Sequence, residues 1–234
     1  MDDAHRRWIA DRETAVWSPH GIAALASTHW LDGGDRTYDG APGRWRQDGD
    51  TIVGTDLPGE VRLAAGEQAQ VGDVVVRAHL RDGTLALRVL DPQAAAQRGV
   101  SEIVRAPYDP ALRVTGVFTP IALPSQTESV DGFRSSTVYD GTVSFTLAGR
   151  DLELTVTRDD ATLFAAFADA TSGSESYAFR FLRPPLPDDD GHVTVDLNRA
   201  YLPPCAFSDH YACVFPPPGN RWSVPVRAGE LRVR

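Results

Sequence analysis

The chain has 234 residues, 42% of them hydrophobic, and a formal net charge of −9. That length can bury a proper core, the acidic balance argues against nucleic acid or an anionic membrane as partner, and no apolar run approaches the roughly 20 residues of a membrane span. Lysine is absent, all 23 basic residues being arginine, which excludes Schiff-base chemistry and a P-loop whose lysine holds phosphates.

The opening residues, MDDAHRRWIADRE, lack the apolar core of a secretory leader, so the cytoplasm is the expected compartment. Trp8, Ile9, Ala15 and Val16 among charged residues predict an amphipathic helix. Ser18-Pro19 predicts the N-cap and first position of a second short helix running through HGIAALASTHWL. Beyond residue 31 the texture changes. Asp-Gly starts at Asp32, Asp39, Asp48, Asp82, Asp131, Asp140 and Asp190, and each pair predicts a tight turn, because aspartate tolerates turn conformations and glycine supplies positive φ.

Alternating segments flank these turns. Val74, Val76, Ala78 and Leu80 share one face before Asp82-Gly83, and Leu85, Leu87 and Val89 continue on the return. Val143, Phe145 and Leu147 likewise oppose Leu152, Leu154 and Val156. TLFAAFAD and YAFRFL read as further buried strands, DPQAAAQRGVSEIVRAPYDP as a loop or short helix, and VTGVFTPIALPSQTESV as a strand joining the two sheet portions. Crossover helices are missing. The expected fold is mainly β: an antiparallel β-barrel or sandwich with short N-terminal helices and a proline-rich C-terminal strap. One domain is expected, with helices over residues 1–31, antiparallel β over 32–196, and the strap and last strand over 197–234.

The C-terminal stretch VDLNRAYLPPCAFSDHYACVFPPPGNRWSVPVRAGE concentrates both cysteines, five prolines between Leu202 and Gly219, and two Asn-Arg pairs. Together with FADATSGSESYAFRFL before it, it resembles an uncharacterised bacterial and archaeal family, domain of unknown function family 1684, whose hallmark is approximately DFNRAYNPPCAF followed by NRLPVAIRAGE. ASTHWLDGGDRTYDG and GTLALRVLDP also resemble family segments, so the likeness is expected to span the chain. The resemblance carries no activity; it marks Asp169, Tyr177, Arg180, Asp196, Asn198, Arg199, Tyr201, Cys205, Cys213, Asn220, Arg221 and Glu230 as matching positions. The sequence departs from the family at Leu202, Phe179, Val214-Phe215 and Trp222-Ser223. These departures make the region more apolar and suggest a ligand with an apolar body.

Motifs for a serine hydrolase elbow, a zincin or a dinucleotide fold are absent. A structural zinc needs four N or S ligands, and the segment offers two cysteines with His210 as a third. No metal and no cofactor are expected, and Cys205 and Cys213 are expected as buried thiols. What remains is polar. Asp196, Glu230, Tyr177 and His29 are the candidate acid–base groups, because carboxylates, phenols and imidazoles move protons when held against a substrate. Arg180, Asn198, Arg199, Tyr201, Asn220, Arg221, Trp30 and Trp222 are the candidate substrate-binding groups. Alternation through VTVDLNRAY would send Asp196 and Asn198 to one side and Arg199 and Tyr201 to the other. Against this stands a structural reading, in which Arg199 and Arg221 are buried and paired with Asp196, Asp169 and Glu230 to fasten the strap. His5, His20 and His192 are expected in solvent.

Two function classes fit. One is a cofactor-independent enzyme acting on a small, partly apolar organic molecule (a hydrolase, lyase, isomerase or cyclase, in bacterial specialised metabolism). The other is a non-catalytic small-molecule-binding or structural β protein.

Overall fold

A computed structural model describes residues 2–234. The chain packs as two compact units: residues 9–101 with 207–211, and residues up to Trp8 with 102–206 and 212–234. Both are built from antiparallel strands.

Helix α1 (Asp3–Trp17) opens the chain. In the first unit, β1 (Leu25–Trp30), β2 (Arg36–Tyr38), β3 (Ala41–Asp48), β4 (Thr51–Thr55), β5 (Val61–Ala64), β6 (Gln68–Val71), β7 (Val74–Arg81) and β8 (Thr84–Leu90) make two four-stranded sheets, ordered β1-β8-β7-β6 and β2-β3-β4-β5. One core serves both, with Trp45, Ile52 and Leu63 from one sheet and Val76, Leu87 and Val89 from the other. Helix α2 (Ala94–Gln97) follows.

The second N-terminal helix does not form. Only a 3-10 turn, Ile22–Ala24, precedes β1. Residues 25–30 instead join the β8 ladder, Leu25 opposite Leu90 and His29 opposite Leu87. The ladder satisfies their backbone groups and buries Leu25, and this outweighs a weak local helix preference.

The second unit holds β9 (Ile103–Arg105), β10 (Arg113–Glu128), β11 (Arg134–Leu147), β12 (Arg150–Arg158), β13 (Leu163–Phe167), β14 (Arg180–Leu182), β15 (His192–Asp196) and β16 (Glu230–Val233). Six of them form one sheet, β14-β13-β12-β11-β10-β15, while β16 pairs with β9. The sheet curls until its edges meet. Just past β15, Tyr201 exchanges both backbone hydrogen bonds with Phe181 of β14, at 2.8 and 2.9 Å. This closes an antiparallel barrel around Val143, Leu154, Val156, Leu163, Phe167 and Val195.

Six of the seven Asp-Gly glycines hold positive φ, as the turn reading requires. Asp82 is positive too, the two-residue geometry that matches the twist of a hairpin. The seventh, Gly141, is no turn: it lies within β11, opposite Pro120. A Cβ there would stand 2.4 Å from the Phe118 ring, so this glycine makes room for a core aromatic.

The strap enters the core with a period of two. Trp222, Val224, Val226 and Ala228 are buried, whereas Arg221, Ser223, Pro225 and Arg227 face outward. It ends at Gly229, with φ +65° and a backbone so close to Ala200 that a Cβ would fall 2.2 Å from the Ala200 carbonyl oxygen. Because that neighbour is backbone, it has little room to give. Gly229→Ala is expected to lower the unfolding free energy by about 1–3 kcal/mol. Gly59→Ala, whose methyl would meet nothing within 4 Å, is expected to stay within about 0.5 kcal/mol. Urea titrations of both variants check this, and equal losses would contradict so tight a seat.

Candidate functional site

The expected acid–base and binding groups fall into three places: a buried lattice beneath the strap, a cleft at the barrel seam, and the first unit's sheet.

The lattice centres on Asp169 and Arg180. Both side chains are fully buried, and the guanidinium Nη2 donates to Asp169 Oδ2 at 2.6 Å. Arg180 also donates to the carbonyls of Val226 and Ala228 in the strap. Asp169 Oδ1 accepts from the backbone N–H of Val226 and from Thr171. Burial pulls the Arg180 pKa down, opposed by the Asp169 charge. Glu230, equally buried, accepts from the Leu202 N–H at 2.9 Å and stands 3.3 Å from Arg105. Asn220 donates to the carbonyls of Thr155 and Ala166 and accepts from the Thr155 N–H, reproducing a strand's hydrogen bonds with one side chain. Tyr177 donates to the Cys205 carbonyl at 3.2 Å. Cys205 and Cys213 are buried and not bridged, the Cys213 sulfur lying 3.3 Å from the Cys205 nitrogen. Trp222 stacks on Phe167 and donates to the Glu153 carbonyl.

This corrects the expected pairing. Arg221 is exposed, because strap alternation gives the inward positions to Asn220 and Trp222. Arg199 is only half-buried, its Nε 3.6 Å from Asp196. The buried arginine is Arg180. Alternation through VTVDLNRAY also fails after Asp196. There the strand ends in a 3-10 turn, Leu197–Arg199, and Asp196 caps it by accepting from the Asn198 N–H. Asn198 turns inward to bind the Asp109 backbone. His5, expected in solvent, is buried between Trp8 and Tyr108, and burial lowers its pKa.

His29 and Trp30 lie in the other unit, on β1. The His29 ring meets the Asp39 carbonyl at 2.9 Å and packs on Tyr38. Trp30 is partly exposed, with the Arg81 guanidinium 4.2 Å from its ring centroid and His79 beside it. Burial, with Arg88 and Arg81 nearby, depresses His79 to a pKa of about 4.

The cleft, about 290 Å³, is lined by Arg113, Thr162, Leu182, Arg183, Thr194, Asp196 and Arg199, with Ala161, Pro184 and Pro185. β14 and β15, the outermost strands of the sheet, both contribute to it, so it marks the seam where the barrel shuts. Arg113 sits directly opposite Asp196 across the β10–β15 ladder, and Thr194 projects to the same face two residues before. The sequence pointed to Asp196 and Arg199 but not to Thr194 on the same strand, nor to Arg113, Arg183 and Thr162, which come from other segments. Arg183 beside the Pro184-Pro185 pair was the one local signal. Arg183 is held by Asp159 at 2.7 Å and by Thr162. Asp159 in turn is pulled down to about 2, chiefly by the backbone N–H groups of Ala161 and Thr162.

The residues that build the lattice are largely those of the C-terminal signature, and a family described as "Protein of unknown function (DUF1684)" matches residues 99–231. The chain belongs to this family. The matched span contains Asp169, Arg180, Asp196, Asn220 and Glu230; it does not reach residues 26–40 and 83–92, where a likeness is also expected. Among solved structures, an uncharacterized protein of Haloarcula marismortui, determined by solution NMR, is 31% identical. The likeness covers 58% of this chain and 78% of that one, with a TM-score of 0.47. No curated protein matches the chain significantly. Among the described residues, no helix is long and apolar enough to cross a membrane, and no group of three or more His, Cys, Asp or Glu could hold a metal ion.

The apolar departures from the DUF1684 pattern go chiefly into packing. Phe179 meets Tyr177, Phe181 and Phe215 at centroid distances of 5.6–5.8 Å, and Leu202 is fully buried.

Two measurements check these assignments. Asp169→Asn or Arg180→Met strands a buried charge and is expected to cost about 3–5 kcal/mol, whereas Arg221→Ala, at an exposed position, should stay within about 0.5 kcal/mol. Chemical denaturation of the three variants distinguishes them, and a large loss at Arg221 would reverse the assignment. The second concerns pH. The folded state keeps His79 neutral down to about pH 4, while the unfolded chain takes up that proton near the ordinary imidazole value of 6.5. Protonation therefore favours unfolding, and stability is expected to fall as pH drops from about 6.5 to about 4. His79→Gln should flatten that part of the stability profile.

Proposed function

We propose that this DUF1684 protein is a small-molecule-binding β protein, with the cleft at the barrel seam as its site, and that it is not an acid–base enzyme. One observation carries the reading: the groups expected to move protons are committed to holding the fold. Glu230 is fully buried and accepts from the Leu202 N–H. Asp196 Oδ1 accepts from both the backbone and side-chain nitrogens of Asn198. Tyr177 donates to a backbone carbonyl, and His29 is occupied by one. A general acid or base must reach the substrate's proton within a hydrogen-bond length; Glu230, Tyr177 and His29 do not line the cleft, and Asp196 does so with one oxygen already committed. The cleft supplies what binding needs: a concave space, apolar walls from Leu182, Pro184 and Pro185, and a few converging polar groups. At about 290 Å³ it is at the small end for ligand sites.

Asp196 alone both lines the cleft and bears a carboxylate, so the enzyme reading rests on it. A metabolite library screened by thermal shift, with each hit incubated and recovered by mass spectrometry, separates the two. The expected result is one or more compounds that raise the melting temperature and return unchanged. Time-dependent conversion that Asp196→Asn abolishes would establish the enzyme instead. A screen without a single stabilising compound would defeat the binding reading.

A further inference from the structure

We propose that the seam cleft takes a small organic carboxylate, its anionic head on the arginines and its apolar body on the proline wall. The inference rests on the binding reading above and adds the ligand's chemical class. Three guanidiniums, Arg113, Arg183 and Arg199, line the cleft against one lining carboxylate, Asp196. Two further carboxylates act on these arginines from outside the lining: Asp159, on Arg183 at 2.7 Å, and Asp2, 3.9 Å from Arg113 and within electrostatic reach of Arg199. The first is a close pair that orients Arg183, and the second is too long for a hydrogen bond.

Arg199 is the least satisfied of the three. Its Nε is buried without a hydrogen-bond partner, and Asp196, at 3.6 Å, is beyond bonding reach. A buried cationic donor without an acceptor is costly. Asp196 cannot readily turn to meet it, because its other oxygen caps the 3-10 turn that carries Arg199 itself. Arg199 lines the cleft with its side chain 38% exposed, so part of it stays open to a ligand there. Guanidinium matches carboxylate geometry with two parallel hydrogen bonds, which a neutral amide cannot reproduce with the same strength. Thr162 and Thr194 add hydroxyls beside the arginines.

The other half of the lining sets the body of the ligand. Of the apolar lining residues Pro185 is exposed and offers its ring to a ligand, whereas Leu182 and Pro184 are buried. Apolar area of this kind rewards a hydrocarbon group over water and gives inorganic phosphate nothing to bury. The ligand is then a monocarboxylate with a compact aliphatic or aromatic body.

The test uses the full chain in low-chloride buffer. Isothermal titration is run with propanoate to octanoate and benzoate, with the matched neutral amides, and with inorganic phosphate. One or more carboxylates are expected to bind once per chain, with each matched amide and phosphate weaker by about 10-fold or more. Arg199→Gln and Arg183→Gln should each weaken the carboxylate by about 10-fold or more, with the β circular dichroism unchanged. If either variant misfolds, ligand-induced shifts of the arginine Nε signals in nitrogen-15 NMR of the wild type locate the site. Amides that bind as well as acids, phosphate that outcompetes every carboxylate, or affinity indifferent to both arginines would overturn the proposal. Library compounds that bind while no carboxylate does would sink this inference alone. Failure of every compound, in both the library and this set, would take the binding reading with it.

Discussion

The fold of the second unit depends on the buried pair of Asp169 and Arg180. A strap containing Pro216, Pro217, Pro218 and Pro225 has too few N–H groups to join a ladder as an ordinary strand. Its carbonyls nevertheless enter the core with Val224, Val226 and Ala228 and would be left without donors there. Arg180 supplies them, reaching two strap carbonyls while Asp169 receives the one N–H that Val226 offers. Burying the two charges is itself unfavourable. It is offset because both outer nitrogens of Arg180 and both oxygens of Asp169 are hydrogen-bonded, the Arg180 Nε alone lacking a partner. Asn220 solves the same problem at the other end of the strap, with an amide in place of an ion pair.

Closure of the barrel follows from that anchoring. Once the strap is seated, Gly229 is pressed against Ala200, and the Glu230 N–H donates to the Ala200 carbonyl. The chain on the far side of Ala200 is thereby set for Tyr201 to bond Phe181 and join the two edges of the sheet. Only two backbone hydrogen bonds span this seam, so it is the thin place in the wall. It is also where polar side chains from four segments come together. A barrel that is sealed by a complete ladder has no such opening; one that is sealed by a single bridge does.

The distal half of the β10–β11 ribbon is a different kind of edge. Ile121, Leu123 and Val138 are substantially exposed there, and Pro120 and Pro124 sit in β10 itself. A proline lacks the donor that an incoming strand would need, and edge prolines discourage unintended sheet extension. The register of the ribbon shifts between Pro120 and Leu123 and is regular from Leu123 onward.

The class of the fold and most of its strands were legible in the residues alone. Asp-Gly turns and two-residue alternation are local signals, and backbone sterics make them nearly independent of context. They located the β7–β8 and β11–β12 hairpins. Where a local signal had a rival explanation it misled: Gly141 serves a neighbour's ring rather than a turn, and residues 25–30 follow the β8 ladder over their own helical pattern. The C-terminal signature marked the chemically dense segment but not its division of labour. Whether an arginine is inside or outside turns on one residue of strand phase, which is why Arg180 is buried and Arg221 is not. That choice is made by the folded chain, as is the meeting of Arg113, Arg183 and Arg199 at one cleft. Those three lie on separate strands or turns, and they meet because a curled sheet brings its first and last strands together, a long-range closure that no local pattern encodes.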